Sequence, residues 1–386
     1  MRRHPPAASG VADAMAQQPA PRRAHVSLAL KVLGAAFAAA AILAAMARHT
    51  LHDGTPLVVI GLITDAQYAD IPDGKSAAGV PRYYRDSLRM VQAAATAWAM
   101  VPATAGGIVA AVHVGDAVDG KAAVGPGGGT AAVAAVQAAL RSAGVPVHYV
   151  LGNHEFSLGN RSALAQRYGF VAADDGAAYR SLAPAPGVRL LLLDSYAESV
   201  VGWPAGDARH AQAQQVLSGH NPLPAGGAQN DPGKLRGFDR RWVRLGGALG
   251  ATQLAWLDAQ LQRAAAAGER VIVFSHVPLH PKAVSNWCGP LCLSWDYEDA
   301  LAVLRRHGGT VAACVAGHDH FGAATRDGES GIAFITLQAV IETQRGGASH
   351  GELRLYERQL RLTGSGRMRS RRFFLPPLPP AEQPAL

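Results

Sequence analysis

Short apolar runs recur along this chain, and most of them end in a side chain able to bind a metal. Leu57 to Ile63 leads into Thr64-Asp65, Ile108 to Val114 into Gly115-Asp116, and Val145 to Leu151 into Gly152-Asn153-His154-Glu155. Arg270 to Phe274 leads into Ser275-His276, and Val311 to Ala316 into Gly317-His318-Asp319-His320. Runs of this length, rich in β-branched residues and bounded by polar ones, predict buried strands. Val188 to Leu193, ending at Asp194, predicts another, and later strands are expected over Ile332 to Leu337 and Gly351 to Leu362. Between them, Ser87 to Met100, Ala131 to Ala143, Thr252 to Ala267 and Asp296 to His307 carry helical spacing, with Leu254, Leu257 and Leu261 on one face of the third. Alternating strands and helices predict an α/β layered fold.

In open α/β sheets, ligands bind beyond the carboxyl ends of the strands. Six nitrogen or oxygen donors are therefore expected along one edge: Asp65, Asp116, Asn153, His276, His318 and His320. Singly each has an ordinary explanation. An aspartate after a strand commonly caps a turn, and a histidine before Val-Pro can be a satisfied turn residue. His318 and His320 would share one side of an extended chain. Jointly, their order and their placement at strand ends point to a dimetal centre.

Composition narrows the class. The chain has 386 residues and is 49% apolar, enough for a core and too much for wholesale disorder. Three cysteines exclude a disulfide scaffold. The net charge of +8 sits at the ends: residues 57–351 hold equal numbers of basic and acidic side chains, so the body gives no reason to expect a nucleic-acid partner. Residues 1–27 read as a basic, Pro-rich disordered tail. Residues 28–47 are an apolar, Ala-rich segment that only Lys31 interrupts. They read as a signal or membrane anchor, with Ala45-Met46-Ala47 fitting a small-x-small cleavage site. An Ala-rich helix or a mis-called start codon, with a cytoplasmic body, is the alternative. The catalytic domain is placed at 57–372 and a Pro-rich tail at 373–386. Residues 201–250, Gly/Pro-rich and without clear periodicity, are expected to be an insertion near the site that forms a lid over it. The oligomeric state is left open.

Five blocks carry a family resemblance: Asp65-x-Gln67, Gly115-Asp116, Gly152-Asn153-His154-Glu155, Ser275-His276 and Gly317-His318-x-His320. They resemble the calcineurin-like metallophosphoesterases, whose first block is normally Asp-x-His. Gln67 in place of that histidine is similar to the branch of manganese-dependent ADP-ribose/CDP-alcohol diphosphatases. Gly61 to Asp70, Arg82-Tyr83-Tyr84-Arg85, His220-Asn221-Pro222, Cys292 to Tyr297 and Val340-Ile341-Glu342-Thr343 are similar to the same branch. The resemblance implies a layered sandwich of two mixed β-sheets flanked by helices, with two divalent cations at the strand ends. One cation would take Asp65, Gln67 and His320, the other Asn153, His276 and His318, with Asp116 bridging. The amide oxygen of Gln67 is a harder donor than imidazole, which favours Mn²⁺ or Mg²⁺ over Zn²⁺ or iron. His154 would stabilise developing charge or protonate the leaving oxygen.

The implied reaction is hydrolysis of the diphosphate bond in a small nucleotide such as ADP-ribose or a CDP-alcohol. A phosphomonoesterase or cyclic-nucleotide phosphodiesterase on the same centre is one alternative, and a non-catalytic membrane-tethered binding protein another. Arg82 and Arg85 are candidates for substrate phosphate. Cys292 matches a family cysteine near the nucleotide. The family's early loop carries an aromatic residue for the base, and here Gly74-Lys75-Ser76-Ala77-Ala78 has none. Cys288 and Cys292 are close enough in sequence to pair in an exported protein, and Cys314 is expected to pack in a strand.

Overall fold

The run that opens the catalytic body folds as strand β1 (Val58–Ile63), and its side chains divide between two cores. Val58, Ile60 and Leu62 enter one, and Val59 and Ile63 the other, the period of two of a strand buried on both faces. The structure, a computed structural model, describes residues 54–125, 127–169, 173 and 176–379. The segments at 1–27 and 28–47 and the last residues of the Pro-rich tail lie outside the described residues. Among those that are described, no helix is long and apolar enough to cross a membrane.

In chain order the further strands are β2 (Gly74–Lys75), β3 (Pro81–Arg82), β4 (Ala110–His113), β5 (Val147–Tyr149), β6 (Arg180–Ala185), β7 (Val188–Leu192) and β8 (Arg270–Phe274). They continue as β9 (Val311–Ala316), β10 (Ala323–Arg326), β11 (Ala333–Thr336), β12 (Ser349–Leu355), β13 (Gln359–Gly366) and β14 (Arg371–Phe374). Two six-stranded sheets result, ordered β14-β13-β12-β1-β4-β5 and β10-β11-β9-β8-β7-β6. Both are mixed. In the first, β1, β4 and β5 run parallel and β12 runs antiparallel to β1. In the second, β7, β8, β9 and β11 are parallel, with β6 and β10 antiparallel at the edges.

The sheets pack face to face through Ile60, Leu62, Val112, Leu190, Phe274 and Val315. Each such side chain contributes roughly 1.5–3 kcal/mol by leaving water. The helices are α1 (Tyr84–Ala99), α2 (Gly128–Arg141), α3 (Arg161–Tyr168), α4 (Ala208–His220), α5 (Gly250–Ala266) and α6 (Tyr297–Arg306). Helices α1 and α2 cover the first sheet through Val91, Trp98, Val136 and Leu140. Helices α5 and α6 cover the second through Leu257, Leu261 and Leu304. The expected sandwich of two mixed sheets between helices is therefore the observed fold.

Three details differ from the sequence reading. Gly351 to Leu362, expected as one strand, belongs to the hairpin β12–β13, whose turn at Tyr356-Glu357-Arg358 contains no Gly or Pro to mark it. The domain runs past Arg372, because β14 continues to Phe374 and pairs with β13. Residues 201–250 form α4 and two 3₁₀ turns, packed with Val200 and Trp295 around Ala213, Leu217, Trp242 and Ala248. Because these residues have a core of their own, the segment is an ordered layer rather than an open loop.

Candidate metal centre

The carboxyl ends of β1, β4 and β5 in one sheet converge with those of β8 and β9 in the other. Asp65 follows β1, Asp116 follows β4, Asn153 follows β5, His276 follows β8, and His318 and His320 follow β9. The backbone is bent sharply to bring them inward. Among the described residues, the non-glycine positions with positive φ are Asp65 (49°), Gln67 (41°), Asp116 (53°) and His318 (66°). All four belong to this edge. Such conformations cost on the order of 1–3 kcal/mol each and cluster at functional sites. Glycines allow the close approach. A Cβ on Gly115, whose φ is +94°, would lie 2.1 Å from His276 Nδ1, and one on Gly152 would lie 2.1 Å from Asp116 Oδ1.

Asp65, Asp116 and His276 each present a ligand atom within 4.8 Å of the others. Asp65 Oδ1 and His276 Nε2 are buried without a hydrogen-bond partner. Asp65 Oδ1, and His276 Nε2 once that ring is neutral, offer lone pairs to a shared space, which a cation would satisfy. His276 Nε2 lies 3.5 Å from Asp116 Oδ2, and His320 Nε2 lies 3.3 Å from Asp65 Oδ1. His318 sits against His276, with ring centroids 5.1 Å apart. Gln67 turns its amide nitrogen toward Asp116 Oδ2 (3.1 Å) and His320 Nε2 (3.2 Å), while its oxygen accepts from Arg82. A half-turn of that amide would present the oxygen to the histidine side instead.

Surrounding groups hold these donors in place. The Glu155 carboxylate accepts the backbone N–H groups of Asp116 (3.0 Å), Ala117 (2.6 Å) and Gly152 (2.7 Å), tying two of the strand-end loops together. Tyr196 Oη donates to Asn153 Oδ1 at 3.3 Å. His276 Nδ1 bonds the Val114 carbonyl at 2.8 Å, and His320 Nδ1 bonds Glu342 Oε1 at 2.9 Å, which in each ring points Nε2 at the carboxylates. Glu155 and Glu342 stand inside sequence motifs that assign them no role, and Tyr196 lies outside those motifs. Their signal is long-range hydrogen bonding, which local spacing does not carry.

His154, half-buried, lies beside the cluster. Its Nδ1 accepts the Gly120 N–H at 3.2 Å, so the neutral ring carries its proton on Nε2, 3.9 Å from Asp116 Oδ2. Asp119 Oδ2, 3.3 Å from Nδ1, steadies a positive ring. Arg82 reaches the site from the ribbon β2–β3, touching Gln67 and lying 4.0 Å from Asp119. Arg85 is not gathered there; it pairs on the surface with Asp70 at 2.6 Å. Cys292 is buried and disulfide-bonded to Cys288, so its sulfur is not a free thiol. Cys314 packs in β9 as expected. Asp194, at the end of β7, pairs with Arg161 and takes no part in the cluster.

The charges are tightly interlocked. Burial would push His276 and His320 down, but the carboxylates outweigh it. Asp116 and Asp65 raise His276 to about 9, and Asp65 and Glu342 raise His320 to about 9. Burial and the neighbouring His276 drop His318 to about 3, leaving it neutral with a lone pair available. Burial, then the Asp116 carboxylate, lifts Glu155 to about 7.

These shifts set a pH dependence. Without cations, the two imidazolium–carboxylate contacts stabilise the fold fully below the ordinary histidine value of 6.5, and that stabilisation disappears as pH rises through about 9. Cation binding needs both rings neutral. The metal-free protein should therefore lose thermal stability from pH 6.5 to 9, and the increase in Tm produced by added Mn²⁺ should grow across the same interval. Thermal melts with and without Mn²⁺ across that range check this, and a pH-independent increment contradicts it.

The family profile described as Calcineurin-like phosphoesterase matches residues 59–322, a span that contains every strand-end donor. The chain belongs to the calcineurin-like phosphoesterase family. A crystallised dimetal phosphatase from Danio rerio superposes with a TM-score of 0.75 at 34% identity, covering 83% of this chain and all of that one. Relatives named manganese-dependent ADP-ribose/CDP-alcohol diphosphatase are similar over most of their length. The one from Oryza sativa is 35% identical, covering 81% of this chain and 92% of the relative. The one from Danio rerio is 36% identical (81% and 97%), and the one from Homo sapiens 31% (82% and 92%). As a calcineurin-like phosphoesterase, the chain is a hydrolase with a dimetal centre.

Proposed function

We propose that this phosphoesterase cleaves the phosphoanhydride of nucleoside diphosphates linked to a sugar or an alcohol. ADP-ribose would yield AMP and ribose 5-phosphate, and a CDP-alcohol would yield CMP and a phosphoalcohol. The observation that carries this reading is the match of the whole catalytic body to relatives bearing the diphosphatase name, with Gln67 at the first block. Manganese is the favoured cation, since the donors include two carboxylates and two carboxamides beside the imidazoles.

The contacts support the division of ligands. His320 lies beside both Asp65 and Gln67, and His276 and His318 pack together. Asp116 Oδ2 approaches both His276 and Gln67, the position a bridging carboxylate needs. When bound, the cation pair supplies Lewis-acid activation of water and neutralises charge at phosphorus. The chain's own groups do the rest. Glu155, through three N–H groups, holds the Asp116 and Gly152 loops at fixed separation. His154 presents the Nε2 proton toward the site and can pass it to the oxygen that leaves phosphorus, with Asp119 stabilising the ring while it is charged. Arg82, 4.0 Å from Asp119, directs positive charge to the same side.

His154→Ala should lower kcat toward ADP-ribose by roughly 10²- to 10⁴-fold. Manganese content should stay at the wild-type level, because the ring is not among the proposed ligands. Loss of metal together with activity would contradict the role. Hydrolysis of ADP-ribose, CDP-choline and p-nitrophenyl phosphate by residues 50–386 tests the reading as a whole: monoester cleavage alone would replace it with a phosphomonoesterase. The apolar segment 28–47 supports a body held at or beyond a membrane, and fusions to alkaline phosphatase or green fluorescent protein report its side.

A further inference from the structure

The loop that precedes α6 is attached to the metal-ligand turn and carries an exposed tryptophan. Ser285 donates its backbone N–H to Asp319 Oδ2 and its hydroxyl to Asp319 Oδ1 at 2.8 Å, and Asp319 stands between His318 and His320. The Ser285 hydroxyl also accepts the Cys288 N–H at 3.2 Å, and the Cys288–Cys292 disulfide closes the turn that follows. On this braced loop Trp287 is 63% exposed. Its indole meets Phe321, the residue after His320, with centroids 5.3 Å apart. The Arg367 guanidinium lies over the Phe321 ring at 5.4 Å and pairs with Glu342, which in turn holds His320. A continuous shelf thus runs from His320 through Phe321 to Trp287. Leaving so large an indole in water forgoes the burial that most tryptophans obtain, while the loop beneath it is fastened by hydrogen bonds and a covalent staple. The segment 74–78, by contrast, has no aromatic side chain, and its start is committed to the β2–β3 ribbon.

We infer that Trp287 is the stacking platform for the planar nucleobase of the substrate, a specificity-determining residue at the rim of the dimetal site. The inference rests on the proposed diphosphatase function. Its chemistry is sequence-tolerant, because every base offers a π-face, so it accommodates adenine and cytosine alike.

Steady-state kinetics of the Mn²⁺-loaded full chain test it with three substrates: ADP-ribose, CDP-choline and dimethyl diphosphate, which has the scissile anhydride but no base. Trp287→Ala should raise KM for both nucleotides by roughly tenfold, leave kcat nearly unchanged, and leave dimethyl diphosphate turnover as in the wild type. Trp287→Phe should recover most of the loss. Unchanged KM for the nucleotides, or an equal rise for dimethyl diphosphate, overturns the platform. A wild-type enzyme that makes no AMP from ADP-ribose instead overturns the function on which it rests, so the two failures are distinguishable.

Discussion

Replacing Asp116 with alanine should abolish measurable diphosphatase activity, a fall on the order of 10⁴-fold in kcat. The side chain is buried and stands where both halves of the cluster meet. Its Oδ1 accepts the His154 N–H at 2.8 Å, and its Oδ2 approaches Gln67 Nε2 and His276 Nε2. Alanine removes the bridging donor, frees the His154 backbone and leaves His276 without the carboxylate that keeps it charged in the metal-free protein. Two readouts should move together: turnover, and manganese retained after gel filtration. Near-wild-type metal content with no activity would mean that Asp116 acts in the chemistry and not as a bridge. Residual activity within tenfold of wild type would contradict its central place altogether.

Glu155→Ala should be the most destabilising single change at the site, by about 3–5 kcal/mol, because three buried N–H donors each lose their acceptor at roughly 1–3 kcal/mol apiece. The carboxylate is 1% exposed and accepts three backbone N–H groups. Deleting it strands three buried donors and opens a void between the loops after β4 and β5. Glu155→Gln should cost less, since its amide oxygen still accepts while its NH₂ faces donors. Urea unfolding of the metal-free proteins, which removes cation binding from the comparison, would show the order wild type, Gln, Ala. An Ala variant within about 1 kcal/mol of wild type would show that the loops are held by something else.

The strand-end donors were legible because each follows its strand immediately in sequence, so a local pattern reports a spatial one. Asp65, Asp116, Asn153, His276, His318 and His320 are brought to one edge by the parallel order of two sheets. The groups that aim these donors were not legible in the same way. Glu342 lies 22 residues from His320, and Tyr196 lies 43 residues from Asn153, and neither separation has a periodic signature. The β12–β13 hairpin was hidden by a turn of ordinary residues. The layer at 201–250 was hidden because its Gly- and Pro-rich sequence conceals a core built around Trp242 and Trp295. Gln67 was visible as a departure from the family pattern, yet its grip on Arg82 depends on the ribbon that places Arg82 beside it.

A dimetal centre that hydrolyses a nucleoside diphosphate at its anhydride releases a definite pair of products. The most direct test is product identity after incubating ADP-ribose with the metal-stripped protein reconstituted with Mn²⁺. AMP and ribose 5-phosphate in equal amounts, with no inorganic phosphate and no turnover before reconstitution, is the predicted result. Release of inorganic phosphate, or no turnover by protein that retains its manganese, would contradict it.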